Sequence, residues 1–284
     1  MHVGFIGLGD QGGAMADRIV DAGLPLAVWT RRPQASEPFV RKGAVRCGSA
    51  ALLASACNIL CVCVTGDEDV RSVLMDQGAI DSSPEGAVIA IHSTIRPDTC
   101  RMLAETARKM GKHVVDAPVS GSSHAARTGD LTTFTGGDAD AIGVLTPVLQ
   151  SHSGTIIHCG APGDAMTAKL AHNLIGAANI GLAARAIRTG ADAGLPRAVF
   201  HDILRAGTAR SNALDILKRL EGSPRALHIR SILEKDIALA MEALAPEATG
   251  FWGPLAQAGL DALQAVVPNH AEQISQDKPH GASS

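Results

Sequence analysis

Short apolar runs recur along the first half of the chain at Val3–Ile6, Leu26–Trp29, 59–64, Val88–Ile91, 114–115 leading into Asp116, and 131–135. Runs of this length, bounded by Gly, Pro and polar clusters, predict strands. Between them the apolar positions follow helical spacing. Pro97-Asp98-Thr99 opens one such helix, which carries Leu103 and Met110 and stops at Gly111. Strand and helix in alternation imply a parallel sheet with helices packed on it. After Ile156-Ile157-His158-Cys159 the pattern changes. From Asp164 onward it is helical, punctuated at Gly190, Gly194-Leu195-Pro196, Gly222-Ser223-Pro224, Pro246 and Gly253-Pro254, and no further strand is expected. The expected architecture is an α/β domain over residues 1–162 followed by an all-α domain over 163–284, with the break at Ala161-Pro162-Gly163. The polar tail, 277–284, is expected to fray.

Gly7-Leu8-Gly9-Asp10-Gln11-Gly12 follows the first strand directly, and a helix over 14–20 opens behind it, the context a dinucleotide fingerprint requires. Gly7 permits the tight turn, Gly9 lets the backbone approach a pyrophosphate, and Gly12 lets helix and strand pack closely. Leu8 and Gln11 complete the loop and count with the glycines as cofactor contacts. The second strand ends about 20 residues downstream, where the ribose is read. A preference for NAD normally shows there as Asp or Glu; this chain has Thr30-Arg31-Arg32. Two guanidiniums without a carboxylate suit a 2′-phosphate, although two solvated loop arginines would look the same. NADP(H) is the expected cofactor, with NAD less favoured.

Lys169 and Asn173 stand four residues apart, which on a helix puts an amine and an amide on one face, one turn apart. The surrounding run, 166–187, is rich in Ala, Leu, Ile and Gly on nearly every side, so the helix is expected to be buried and the lysine partly desolvated. Such a lysine is a candidate proton carrier; the alternative is a lysine snorkelling out of a core helix. To act as a base it must move from an ordinary pKa of about 10.4 to roughly 7–8, about 4 kcal/mol of differential destabilisation. Burial and the positive nicotinium ring act in that direction, and a substrate carboxylate acts against it. Asn173 cannot titrate, so its part is orientation. Tyrosine is absent, which removes the phenol as a proton donor. Around Ser120-Gly121, backbone N–H groups beside a hydroxyl form either a carboxylate-binding nest or simply a tight turn.

Composition narrows the classes further. The 284 residues are 46% hydrophobic and 19% charged, ordinary for a soluble globular protein, and the net charge of −3 gives no reason to expect nucleic acid as a partner. No stretch of about 18 apolar residues occurs and the chain enters a strand at Val3, so neither a membrane span nor a signal segment is expected and the location should be cytoplasmic. Six cysteines are present without a disulfide framework or a zinc spacing, so they read as small buried hydrophobes and no metal is expected.

Taken in order, the glycine loop, Ser93-Thr94-Ile95-Arg96-Pro97, Asp116-Ala117-Pro118-Val119-Ser120-Gly121-Ser122, the Lys169/Asn173 helix and Lys235-Asp236 resemble the β-hydroxyacid dehydrogenase family, which includes 3-hydroxyisobutyrate dehydrogenases and tartronate semialdehyde reductases. The resemblance runs from residue 4 to about residue 260. It implies a Rossmann-type N-terminal domain, an all-α C-terminal domain beginning with a long interdomain helix, and a homodimer or homotetramer. It implies hydride transfer between cofactor and a small 3-hydroxy acid or its semialdehyde or keto form, with Lys169 as general acid/base and Asn173 as its companion at the substrate. Ser120, Gly121 and Ser122 match the substrate-binding turn, Thr94 and Lys235 match cofactor contacts near the nicotinamide, and Arg31 matches the arginine of NADP-preferring members.

The chain departs from that pattern at Gln11, where many relatives carry Met, at Ser122 and Ala125, where Gly is common, and at His172, where Asn is frequent. Ser122, Ser123 and His124 put hydroxyls and an imidazole where glycines would leave space, and whether they face a ligand is open. His172 has two readings, tuning Lys169 or satisfying a hydrogen bond in the core, and Phe251 and Trp252 either pack in the core or close a partner's site. Two alternatives to the dehydrogenase remain on the same scaffold: an imine reductase-like enzyme and a non-catalytic NADP-binding interaction module.

Overall fold

The computed structural model describes residues 2–244 and 247–267. Pro246 and the tail, 277–284, for which the sequence predicts a break and fraying, lie outside them. The chain divides into two compact units, one ending at Lys169 and the other beginning at Leu170. Among the described residues no helix is long and apolar enough to cross a membrane.

The first unit is built on one sheet of nine strands: β1 (Val3–Ile6), β2 (Leu26–Trp29), β3 (Val45–Arg46), β4 (Ile59–Val62), β5 (Val88–Ile91), β6 (His113–Asp116), β7 (Val119–Ser120), β8 (Leu131–Gly136) and β9 (Ser153–Gly160). The order is β3-β2-β1-β4-β5-β6-β8-β7, with β9 paired to β8. Strands β1 to β6 are all parallel. The sequence of the first six, 3-2-1-4-5-6, is the doubly wound dinucleotide-binding arrangement, whose crevice opens where β1 and β4 send their connections to opposite sides.

Direction reverses at β8, which runs antiparallel to β6 and β7. The ten residues between β7 and β8 are too few for a parallel crossover of a dozen or more. They form a short helix closed by left-handed Gly129, φ +78°. The parallel sheet expected from the sequence is present as the core, with antiparallel pairing added only where β8 meets β6 and β7.

The helices of this unit are α1 (Asp10–Asp21), α2 (Glu37–Arg41), α3 (Ala50–Ser55), α4 (Asp67–Arg71), α5 (Ala79–Ser82), α6 (Pro97–Arg108), α7 (Ser123–Thr128) and α8 (Ala139–His152). Alternate residues of each strand serve opposite faces. Phe5, Val28, Ile59 and Val88 join Met15, Ile19, Leu145 and Leu149 on one side. Ile6, Leu60, Ile89 and Ile91 join Leu53, Leu74 and Leu103 on the other. Burial on both faces explains why β1, β4 and β5 read as unbroken apolar runs.

Helix α9 (Asp164–Asp192) begins in the first unit and continues into the second, which adds α10 (Arg197–Ala206), α11 (Asn212–Leu220), α12 (Arg225–Ala243) and α13 (Thr249–Ala265). Helices α9 and α13 cross so closely that a Cβ on Gly259 would strike the Ala177 carbonyl, and one on Gly181 would come within 2.8 Å of Ala258 Cβ. Leu170, Leu174, Ile237, Ala256 and Leu260 form the apolar contact around that crossing. The break predicted at Gly253-Pro254 does not occur: both residues lie inside α13. A proline there forfeits one hydrogen bond, to the carbonyl of Gly250. Burial of Ala256, Leu260 and Leu263 outweighs that loss.

Candidate active site

The glycine loop is shaped by what it must touch. Gly7 has φ +94°, and a Cβ there would collide with the Cys63 carbonyl just beyond β4. A Cβ on Gly12 would run into the Gly7 carbonyl, so α1 starts against the loop itself. Gly9 is different: a Cβ built on it meets nothing within 4 Å. It is the N-cap of α1 and supplies no side-chain acceptor for the first helical N–H groups. Gln11 Nε2 is buried without a hydrogen-bond partner. An open approach at Gly9, an uncapped helix start and an orphaned donor are what an incoming pyrophosphate would use. The Leu8 side chain packs in the core, so only its backbone faces the loop. Burial pushes the Cys63 thiol beneath the loop up to about 12, so it stays protonated.

At the end of β2, Thr30 Oγ1 accepts from Arg32 N at 3.4 Å. Arg31 Nη1 forms an ion pair with Asp69 Oδ1 at 3.0 Å, with the arginine side chain 68% exposed. Two residues earlier in α4, the Asp67 carboxylate accepts from Arg96 N at 3.0 and 3.2 Å. Ser93 Oγ accepts from Val64 N at 2.8 Å, tying the loop after β5 to the loop after β4 beside half-buried Thr94.

The turn after β7 has Gly121 at φ +126°, where a Cβ would also press to 2.7 Å from Leu131 Cδ2. Ser122 Oγ accepts from Ala125 N at 3.4 Å as the N-cap of α7, so its hydroxyl is engaged by the helix start. Ser123 is buried and His124 is exposed. Ser120 stands on β7 and Lys169 on α9, on separate elements of the first unit.

Helix α9 starts where it does because of Asp116. This carboxylate is fully buried at the end of β6 and accepts from Gly163 N and Met166 N, each at 2.9 Å. Burial raises its pKa against the effect of those N–H groups. One turn further along α9, Lys169 is 8% exposed, and Asn173, one turn beyond it, is 7% exposed. In the second unit Asn173 Nδ2 donates to Asp236 Oδ2 at 2.6 Å, and Lys235 Nζ lies 2.8 Å from Asp236 Oδ1. A carboxylate can only accept, so the NH2 end of the amide faces Asp236 and Asn173 Oδ1 is left to take a proton from His172 Nδ1, 3.1 Å away. His172 itself is exposed, while its ring nitrogen reaches the buried Asn173 amide.

Of the residues singled out in the sequence, the structure brings together Asn173, His172 and Lys235, and seats the glycine loop on the end of β4. Asp116, Asp236 and Asp69 went unassigned. Asp236 stands in the charged triplet Glu234-Lys235-Asp236, and nothing local marks it, since its partner Asn173 lies 63 positions away. Among the described residues no group of three or more His, Cys, Asp or Glu is placed to hold a metal.

Comparison with known proteins agrees with this construction. Residues 2–160 match the model of the NAD binding domain of 6-phosphogluconate dehydrogenase, and 163–276 match that of the NAD-binding domain of NADP-dependent 3-hydroxyisobutyrate dehydrogenase. An uncharacterized oxidoreductase of Mycobacterium tuberculosis (strain H37Rv) is 35% identical over 275 residues, 93% of this chain and 92% of that protein. The structure of M. tuberculosis 3-hydroxyisobutyrate dehydrogenase with L-serine superposes with a TM-score of 0.79 at 26% identity, covering 98% of this chain and 95% of the other. Psf3 in complex with NADP+ and 2-OPP superposes with a TM-score of 0.80 at 28% identity, covering 93% and 95%. The chain belongs to the β-hydroxyacid dehydrogenase family, NAD(P)-binding oxidoreductases that act on a CH–OH group.

Proposed function

We propose that this enzyme is an NADP(H)-preferring dehydrogenase or reductase of a small 3-hydroxy acid or its semialdehyde or keto form, with Lys169 as the general acid/base. The observation that carries the reading is a lysine 8% exposed on α9, one turn from an amide whose orientation is set by a buried carboxylate. Burial is the environment in which a lysine ammonium can give up its proton near neutrality. In the oxidative direction Lys169 takes the proton of the substrate hydroxyl, and in the reductive direction it returns one. Asn173 orients the substrate or the amine, and Asp236 keeps its amide from turning. Ser120, Gly121 and the neighbouring N–H groups hold the substrate carboxylate, with Ser122 shaping the turn as a helix cap.

Residues 1–162 hold the nucleotide, through Gly7, Leu8, Gly9, Gln11 and Gly12 at the phosphates and Thr30, Arg31 and Arg32 at the adenosine ribose; by the family resemblance Thr94 and Lys235 are the nicotinamide contacts. When bound, the cofactor supplies or accepts the hydride. Arg31 and Arg32 favour NADP(H), and Psf3 was obtained with NADP+. The M. tuberculosis dehydrogenase was obtained with L-serine, a small acid with its hydroxyl on C3, which supports the substrate class. The family resemblance supports a homo-oligomer, in which exposed apolar side chains such as Leu182, Ile203 and Phe251 could be covered.

The deciding experiment pairs Lys169→Ala turnover on a panel of 3-hydroxy acids, aldonic acids and glycerate with NADPH binding by titration calorimetry. Turnover should fall at least a hundredfold while affinity stays within a few-fold, because proton transfer is lost and nucleotide contacts are kept. Unchanged turnover would end the mechanism.

A further inference from the structure

Arg31 does not stand alone at the end of β2: its Nη1 is held by Asp69 Oδ1 at 3.0 Å, and Asp69 is itself in the first turn of α4, 28% exposed. Asp67 in the same turn is committed elsewhere, to Arg96 N. Helix α4 therefore presents a carboxylate to the cation proposed to read the 2′-phosphate. We infer that Asp69 is a cofactor-specificity residue, which competes with the 2′-phosphate for Arg31 and so moderates the preference for NADP(H). The inference rests on the proposed role of Arg31.

The argument from charge is independent of the detailed pose. A phosphate docked on the guanidinium lies within about one Debye length, roughly 8 Å at physiological salt, of a carboxylate bonded to that same group. The two anions repel, and each hydrogen bond Asp69 keeps is one the phosphate lacks. An ion pair in which the arginine is 68% exposed is weak enough to yield, so Asp69 lowers affinity without abolishing it. A 2′-hydroxyl carries no charge, so NADH binding is insensitive to Asp69. Orientation of Arg31 by Asp69 predicts the opposite sign for NADPH.

Calorimetric dissociation constants for NADPH and NADH should be measured on the full chain for the wild type, Asp69→Asn, Arg31→Ala and the double variant. Asp69→Asn is expected to tighten NADPH about three- to tenfold at low salt, with NADH within twofold and the gain shrinking in 0.5 M NaCl. In the Arg31→Ala background the same change should do nothing, since the coupling runs through Arg31. Unaltered or weaker NADPH binding by Asp69→Asn, while Arg31→Ala is selectively defective for NADPH, overturns the inference and leaves the cofactor reading standing. Equal losses for both nucleotides in Arg31→Ala overturn that reading and this inference together.

Discussion

Asp116 Oδ2 accepts the backbone N–H of Met166 at 2.9 Å, so a buried carboxylate at the end of β6 caps the helix that carries Lys169 one turn later. With Gly163 N on the other oxygen, it answers two donors that a helix start otherwise leaves unpaired. Asp116→Asn puts an NH2 group against one of those N–H groups. The variant should lose about 2–4 kcal/mol of stability, together with turnover, because the start of α9 shifts. Urea unfolding and kcat on the same preparation check this; full stability in Asp116→Asn would mean the carboxylate does not set the helix start.

Asp236 predicts a different separation. Removing it leaves the Asn173 amide buried with an unmet donor, whereas Asp236→Asn can still offer an oxygen. Asp236→Ala should cut kcat about 10- to 100-fold, in line with the cost of a misplaced group. Asp236→Asn should recover part of that loss. Identical kinetics for the two variants would show that the hydrogen bond to Asn173 is not what matters.

Local features were legible in the chain because each is written in consecutive residues. The glycine loop needs only a strand before it and a helix behind it, and β1, β2, β4 and β5 announce themselves as apolar runs. Asp116 and Asp236 were not legible, because their partners lie 47, 50 and 63 positions away and pairing across such distances leaves no periodic trace. Two-residue strands such as β3, with both Val45 and Arg46 exposed, carry no alternation to detect. Pro254 misled because tertiary burial overrode a local breaker.

Acid should unfold the protein through two histidines. Burial lowers His92 to about 4, opposed by the Ala117 carbonyl it donates to at 2.8 Å, and burial lowers His152 to about 3, helped by the charge of His92 and of Arg18. Both are neutral when folded and take protons near 6.5 when unfolded, so the unfolded state binds more protons and stability falls as pH drops below about 6.5. The slope approaches about 2.7 kcal/mol per pH unit for two protons and ends for His92 near pH 4 and for His152 near pH 3. Asp116, raised by burial, acts oppositely between 3.8 and its raised folded value. Urea midpoints from pH 7.5 to 4.5 should show that slope, and His152→Leu should remove about half of it. A pH-independent midpoint would contradict the neutral buried pair.

Two glycines of one loop should fail in different ways. A Cβ on Gly12 meets the Gly7 carbonyl, which is backbone and cannot give way, so Gly12→Ala must push α1 off β1 and should cost about 1–3 kcal/mol of stability. A Cβ on Gly9 meets no atom within 4 Å, and Gly9 has φ −74° and ψ −169°, an extended conformation open to alanine. Gly9→Ala should therefore fold as well as the wild type. The space its methyl fills is the proposed approach for the pyrophosphate, so NADPH and NADH should both bind at least about tenfold more weakly, without discrimination between them, since neither the 2′-phosphate nor Arg31 is touched. Thermal unfolding without ligand and calorimetry with each nucleotide separate the two effects. If Gly9→Ala bound both nucleotides normally, the pyrophosphate would have to lie elsewhere than over the start of α1.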